Sequence, residues 1–298
     1  APLDFAYESF DASRILLADL DGSGATDLIY LQADGARIFM NCFGNGLAAP
    51  IKLPWPNGLH LDRFCQVRAA DLQGTGCSSL VIEIPGSATR YWRYDFVNGK
   101  PYLLGTTDNN MGAIHSIRYR SSAQEWLDEK KQLLAKNKKT LCRLPFPLPV
   151  VKEQTVHDEI TDNRLTRHFT YRRAAYDSKE REFRGFGLLE QTDSLESGSS
   201  PYSAHTPPML SKTWFHSGDT IDPLLPVSDW RDKDAVALKP AIQNIGESWS
   251  PDTHKRKAAT AHWKSRQREM AIALAGSVLR EETYARDADA RSVVPYSV

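Results

Sequence analysis

The chain has 298 residues, with 37 Lys+Arg against 37 Asp+Glu, a formal net charge of zero, 41% hydrophobic and 10% aromatic residues. Balanced charge argues against a general nucleic-acid or membrane-surface binder, which needs a basic excess. The aromatic content excludes disorder, and no run approaches the roughly 20 apolar residues of a membrane span.

Taken in order, the chain opens Ala1-Pro2-Leu3-Asp4-Phe5, with no Met and no visible signal peptide. It closes on Pro295-Tyr296-Ser297-Val298, a strand-like run without a closing turn. Both ends suggest a piece of a longer protein. Residues 13–36 and 66–89 form a repeat: an apolar strand ending in Ala-Asp-Leu, a turn with two glycines, then a second apolar strand. Asp19 and Asp71 are equivalent, so the period is 52 residues, close to one four-stranded propeller blade. Further strands are expected over Ala36–Asn41 and Arg90–Phe96. Two blades cannot close a ring, which takes about four to eight, so more blades are expected upstream.

After Gly112 the pattern changes. Residues 121–139 read as a helix, with a serine N-cap, acids early and lysines late, and with Trp126, Leu127, Leu133 and Leu134 on one side. Its lysines read as a solvated face. The prolines of Leu144–Val151 make that stretch an edge or connector. Hairpin strands follow over Leu165–Arg172 and Arg181–Thr192, then a loop over Glu196–Pro208, a strand over Met209–Phe215 and a second helix over 258–282. The expected fold is mainly β: about two blades of a β-propeller over residues 1–112, then β hairpins with two helices over 113–298.

The sharpest local motif is Asp19-Leu-Asp21-Gly-Ser23-Gly-Ala25-Thr-Asp27. Side-chain oxygens from Asp19, Asp21, Ser23 and Asp27 and the backbone carbonyl of Ala25, around a tight glycine bend, suit a Ca²⁺ loop. It is not an EF-hand, because Tyr30 stands at the twelfth position. The second copy degrades to Asp71, Gln73, Thr75, Cys77 and Ser79, a poor hard-cation set. The other reading is that both loops are Asx/Gly turns held by hydrogen bonds. Cys42, Cys65, Cys77 and Cys142 form no CxxC pair and are expected as free thiols; a Cys65–Cys77 bridge has only sequence proximity behind it. No GxSxG, HExxH or Walker loop occurs, and the eight histidines read as surface or core-edge residues. Glu180-Arg181-Glu182 has the acid spacing of many ADP-ribosyltransferases, without the Ser-Thr-Ser strand those enzymes also use. No catalytic residues are assigned and the chain is expected not to be an enzyme.

The first repeat resembles integrin-type FG-GAP propeller blades. The run Tyr171…Tyr176-Asp177…Arg181-Glu-Phe183-Arg184-Gly185-Phe186-Gly187 resembles the B subunits of bacterial ABC-type insecticidal toxin (Tc) complexes and the related SpvB/TcdB middle regions. Tyr119–Gln124, Leu144–Pro147, Lys212–Gly218 and Leu279–Tyr284 agree in collinear order. Ser23, where calcium-binding FG-GAP loops more often carry Asp or Asn, the lysine-rich 130–139 stretch and residues 228–254 depart from it. The resemblance implies a non-enzymatic subunit of a secreted toxin, with a propeller followed by a YD/RHS-type β-shell. It implies an RHS-containing C subunit with which the shell encloses the toxic polypeptide, and a pore-forming A subunit on which the propeller docks as a gate. Neither nucleic acid nor direct membrane insertion is implied. A secreted, calcium-dependent adhesion or carbohydrate-binding FG-GAP protein is the alternative. In the shell reading, Tyr171, Tyr176, Phe183 and Phe186 stack between strands, Arg181 and Arg184 lie on rings or pair with acids such as Glu182, and Gly185 and Gly187 permit a bulge.

Overall fold

The structure is a computed structural model that describes residues 10–56, 59–86, 89–138, 142–196, 207–218, 268–287 and 290–298. It divides into two compact units: one reaches to Leu104 and takes in Pro147–Pro149, the other comprises Gly105–Phe146 and Val150–Val298. The division falls ahead of Gly112 because Gly112 lies in a hairpin turn: β8 (Thr106–Asp108) pairs with β9 (Ala113–Ser121), keeping 106–112 with the second unit.

The first unit holds two antiparallel meanders. β1 (Ile15–Ala18), β2 (Asp27–Leu31), β3 (Gly35–Phe39) and β4 (Ile51–Pro54) form a four-stranded sheet in sequence order. β5 (Gln66–Ala70), β6 (Ser79–Ile84) and β7 (Arg90–Tyr94) form a three-stranded sheet, also in order. The repeat therefore folds twice into the same strand–turn–strand, with Asp19 and Asp71 both opening the first turn. Apolar side chains of both sheets share one core of Leu20, Ile29, Ala36, Ile38, Trp55, Leu80 and Ile82. Full burial of each Leu or Ile contributes about 1.5–3 kcal/mol. Trp55 is fixed at the edge of that core by its Nε1–H donating to the Gln32 carbonyl (2.9 Å), and the Tyr94 hydroxyl donates to the Pro54 carbonyl (2.9 Å). Gly35 admits no side chain, because a Cβ there would stand 2.4 Å from the Leu53 carbonyl oxygen.

The second unit is a seven-stranded sheet in which spatial and sequence order coincide. β8 and β9 are followed by β10 (Pro149–Asp158), β11 (Asn163–Asp177), β12 (Glu182–Glu196), β13 (Met209–Phe215) and β14 (Val278–Ala285). All its pairings in the described registers are antiparallel. Pro149 stands at the first position of β10, where a missing N–H is tolerated. β11 and β12 run 15 residues each, longer than the hydrophobic alternation indicates, because the charged ends of both strands remain paired as far as Arg164↔Glu196.

Two helical expectations are corrected. α1 (Ser122–Ala135) is capped as expected, with Ser121 Oγ accepting from the Ala123 N–H. Its packed side is nevertheless polar: Ser122 and Glu125 are buried, whereas Leu127 is 47% and Leu134 55% exposed. Ion pairing to β11, described below, outweighs the apolar stripe. The second expected helix, 258–282, lies outside the described residues up to 267; residues 268–273 are helical, 274–276 turn, and β14 begins at Val278. Gly276, at φ +82°, ends the helix in the left-handed conformation, and its N–H donates to the His216 carbonyl. The following residues are then taken into a ladder with β13 that overrides local helix propensity. Residues 228–254 and most of the expected loop Glu196–Pro208 also lie outside the described set.

Candidate functional site

Two constellations from the sequence can be placed. The first is the turn between β1 and β2. Asp27 is fully buried, and its carboxylate accepts the Leu20 N–H on Oδ2 (2.9 Å) and the Asn41 N–H on Oδ1 (2.8 Å). Asp19 Oδ2 accepts the Gly24 N–H (2.9 Å), Asp21 Oδ1 the Ser23 N–H (2.9 Å), and Ser23 Oγ the Ala25 N–H (3.3 Å). Burial would raise the Asp21 carboxyl, but the Ser23 hydroxyl and N–H outweigh it and hold the pKa below the usual range. The turn between β5 and β6 repeats the scaffold: Asp71 accepts the Thr75 N–H on Oδ1 (3.0 Å) and the Gly76 N–H on Oδ2 (2.7 Å). The Asx/Gly hydrogen-bonded turn is thus present in both copies.

What distinguishes the first copy is convergence. One oxygen each from Asp19, Asp21 and Asp27 lies within 4.8 Å of the others, the one such three-residue group among the described residues. Asp19 Oδ1 is buried and accepts no hydrogen bond. Three hard oxygen donors with one left unsatisfied fit a divalent cation. The second turn lacks them, since Ser79 replaces the third carboxylate and donates to Asp95 Oδ1 (2.6 Å). The two turns also touch. The Ser78 N–H donates to the Asp19 carbonyl (2.8 Å), Lys100 Nζ donates to the Gly22 carbonyl (2.9 Å), and a Cβ on Gly22 would stand 2.6 Å from Cys77 Sγ. Burial pushes the Cys77 thiol up, so it is a packed, unreactive group. All four cysteines are free, so no Cys65–Cys77 bridge forms.

The second constellation is the β11–β12 hairpin. Tyr171 and Phe186 face each other with ring centroids 4.9 Å apart, and Phe183 meets Phe186 edge-on at 5.4 Å. Tyr176 turns elsewhere and packs edge-on against Phe146 at 5.5 Å. The register shifts between Ala175 and Tyr176, which pair with Gly185 and Phe183, so Arg184 is the extra residue of a β-bulge. Gly185 supplies φ +89° beside it, and Gly187 lies under Arg173, where a Cβ would come within 3.2 Å of the Arg173 Cβ. Arg184 Nη2 contacts Asp177 Oδ2 (3.3 Å) and Glu182 Oε2 (3.0 Å). Arg181 sits exposed in the turn at φ +56°, apart from the rings.

Sequence reasoning did not find the ion network joining α1 to β9 and β11. Glu125, 3% exposed, accepts from Arg120 Nη1 (2.8 Å), Arg172 Nη1 (2.9 Å) and the Tyr171 N–H (3.2 Å). Burial pushes the neighbouring Glu129 carboxyl up although it accepts the Arg173 N–H (3.1 Å). An acid in the first turn after a serine cap was a legible signal, but it points to the helix dipole rather than to Arg172, 47 residues away. Nor was Arg268 legible as the partner of Asp177 (2.7 Å) and Glu180 (2.9 Å). Glu180 and Glu182, the pair with transferase-like spacing, are each held by an arginine.

The profile of the family described as "Insecticide toxin TcdB middle/N-terminal region" matches residues 43–218, which take in the second repeat, α1 and the whole β11–β12 hairpin. The chain belongs to this family. A crystal structure of TcdB2-TccC3 without its hypervariable C-terminal region is similar at 41% identity and a TM-score of 0.83, covering 97% of this chain and 13% of that one. The Photorhabdus luminescens Tc holotoxin pore gives the same identity, score and coverage, and TcdB2-TccC3-Cdc42 gives 36% identity and a TM-score of 0.79 over 97% and 13%. The TcdB-family chain thus spans about an eighth of the length of the solved chains it matches. No curated protein matches it. The Asp19 turn precedes the residues that the family profile covers. Among the described residues, no helix is long and apolar enough to cross a membrane.

Proposed function

We propose that this chain is a segment of a non-enzymatic subunit of a secreted toxin complex, in which its parent protein builds a container and a gate around a toxic polypeptide made by a partner. The single observation that carries the reading is the likeness at 41% identity to TcdB2-TccC3 across nearly the whole chain. In this reading the two meanders are propeller blades of the gate, which docks on a pore-forming A subunit. The seven-stranded sheet is wall, closed by an RHS-containing C subunit. Burial within the repeat supports the propeller. Leu20 is fully buried against the second meander, whereas its equivalent one period on, Leu72, is 52% exposed, as it would be where a further blade packs. The carboxylates that could serve acid–base chemistry in the hairpin instead fasten arginines, which supports a structural role.

The test is co-purification of the full-length subunit with its genomic-neighbour C protein, followed by mixing with the A protein and electron microscopy. A closed particle containing both, seated on the A protein, is expected. Separate elution of the subunit, with Ca²⁺-dependent binding to glycans, would overturn the reading in favour of an adhesin. Within the same reading, Asp19, Asp21 and Asp27, with the Ser23 hydroxyl and the Ala25 carbonyl, would hold a Ca²⁺ that stiffens the first blade and takes no part in chemistry.

A further inference from the structure

We propose that the outer edge of β7 receives a strand from the part of the parent subunit that precedes Ala1, and that this strand completes the second meander as its fourth. With the meanders read as propeller blades, as above, it fastens the last blade to the start of the first. The two repeats fold alike for three strands and then part. β4 (Ile51–Pro54) lies along β3 and brings the first meander to four strands, whereas the second stops at β7 (Arg90–Tyr94). One 52-residue period after β4 lies 103–106, and of these residues only Thr106 is in a strand, β8, which pairs with β9 in the other sheet. The chain turns away before it gets there. Lys100 Nζ donates to the Gly22 carbonyl (2.9 Å), and a Cβ on Gly22 would stand 2.7 Å from Pro101 Cδ. Among the described residues, no strand pairs with the outer edge of β7.

The side chains record the same gap. On the third strand of the first meander, Ala36 and Ile38 are 0% and 3% exposed, and Leu53 of β4 pairs beside Ala36. On the third strand of the second, Trp92 and Tyr94 face the same core and are only half-buried. An edge with unpaired backbone groups and half-covered aromatic rings is a template for an added strand. Arg90 and Arg93 blunt it against a second copy of itself. Alternation fixes what fits: a short strand with apolar side chains beside Trp92 and Tyr94 and polar ones beside Tyr91 and Arg93.

The order of the strands names the source. β4, the last strand of one meander, runs on into β5, the first strand of the next. Carried around a ring of about four to eight blades, that connection makes the strand leading into the first blade the fourth strand of the final one. The second meander is the final one among the described residues, since β8 to β14 belong to the seven-stranded sheet. This chain spans about an eighth of the solved chains it matches, which leaves the parent the length for the missing blades.

Photocrosslinking in the full-length subunit, copurified with its genomic-neighbour C protein, tests this. Tyr91 is 64% exposed, so Tyr91→benzoylphenylalanine leaves the core intact. The expected crosslink joins position 91 to one short segment of the same chain upstream of Ala1. Replacing that segment by Gly-Ser repeats should then speed amide exchange across 89–96 several-fold, while 27–39 keeps its protection. A crosslink to the C protein, to a second copy or to residues after Val298, no crosslink at all, or unchanged exchange overturns the proposal. Capture of the C protein reports on the container reading and the crosslink on the added strand, so either can fail alone.

Discussion

Asp27 shows how much a single buried acid organises: one side chain fixes a residue from the turn before it and one from the strand pair after it. Replacing it by Ala strands two backbone donors, and at roughly 1–3 kcal/mol each the unfolding free energy should fall by about 3 kcal/mol in urea titrations. Asp21 is different, since its carboxylate is held by the Ser23 hydroxyl and N–H, and an Asn amide oxygen can accept in its place. Asp21→Asn should therefore leave stability without calcium nearly unchanged, yet abolish any rise in melting temperature on adding Ca²⁺ to chelator-treated protein. A hundredfold excess over Kd would give the wild type about 2.7 kcal/mol. At the hairpin, burial would raise the Asp177 carboxyl, but the Glu180 and Lys179 N–H groups and the Arg268 guanidinium overcome it and bring the pKa down to about 2 from 3.8. A folded pKa below the unfolded one means the contribution is fully present above about pH 4 and disappears as pH falls through about 2. Amide exchange around residues 176–187 should accordingly rise between pH 4 and pH 2 beyond the intrinsic change, and Asp177→Asn should flatten that rise.

At the scale of elements, α1 attaches to its sheet by charge. Its leucines are largely exposed while Glu125 joins Arg120, Arg172 and a strand N–H. Removing one partner of a buried ion pair costs about 3–5 kcal/mol, so Glu125→Ala should release the helix and raise exchange across 122–135 while the first unit keeps its protection. The second helix shows where periodicity misleads. The helix expected over 258–282 runs on through 278–282, but Gly276 together with a waiting β13 edge decides for strand there. The 52-residue repeat and the Met209–Phe215 strand were legible because turn glycines and alternation are local signals. The Asp177–Arg268 pair and the polar face of α1 were not, because each depends on partners dozens of residues away, and although Gly185 and Gly187 pointed to a bulge, only the register with β11 marks Arg184 as its extra residue.

Among the described residues, each of the three sheets has strands laid down in the order in which they are made, β1 to β4, β5 to β7 and β8 to β14. No strand has to be inserted between two earlier ones. This has a kinetic consequence. Loop closure needs only neighbouring segments for most steps, which keeps contact order low and folding fast for a β-rich protein. Emerging from a ribosome at about 5–20 residues per second, each strand after the first of its sheet meets one open edge, that of its predecessor, and covers it. The edge must wait between β9 and β10, where α1 intervenes, and again over the long connection between β13 and β14. Each sheet built this way ripens from its first strand toward its last, with a single growing front.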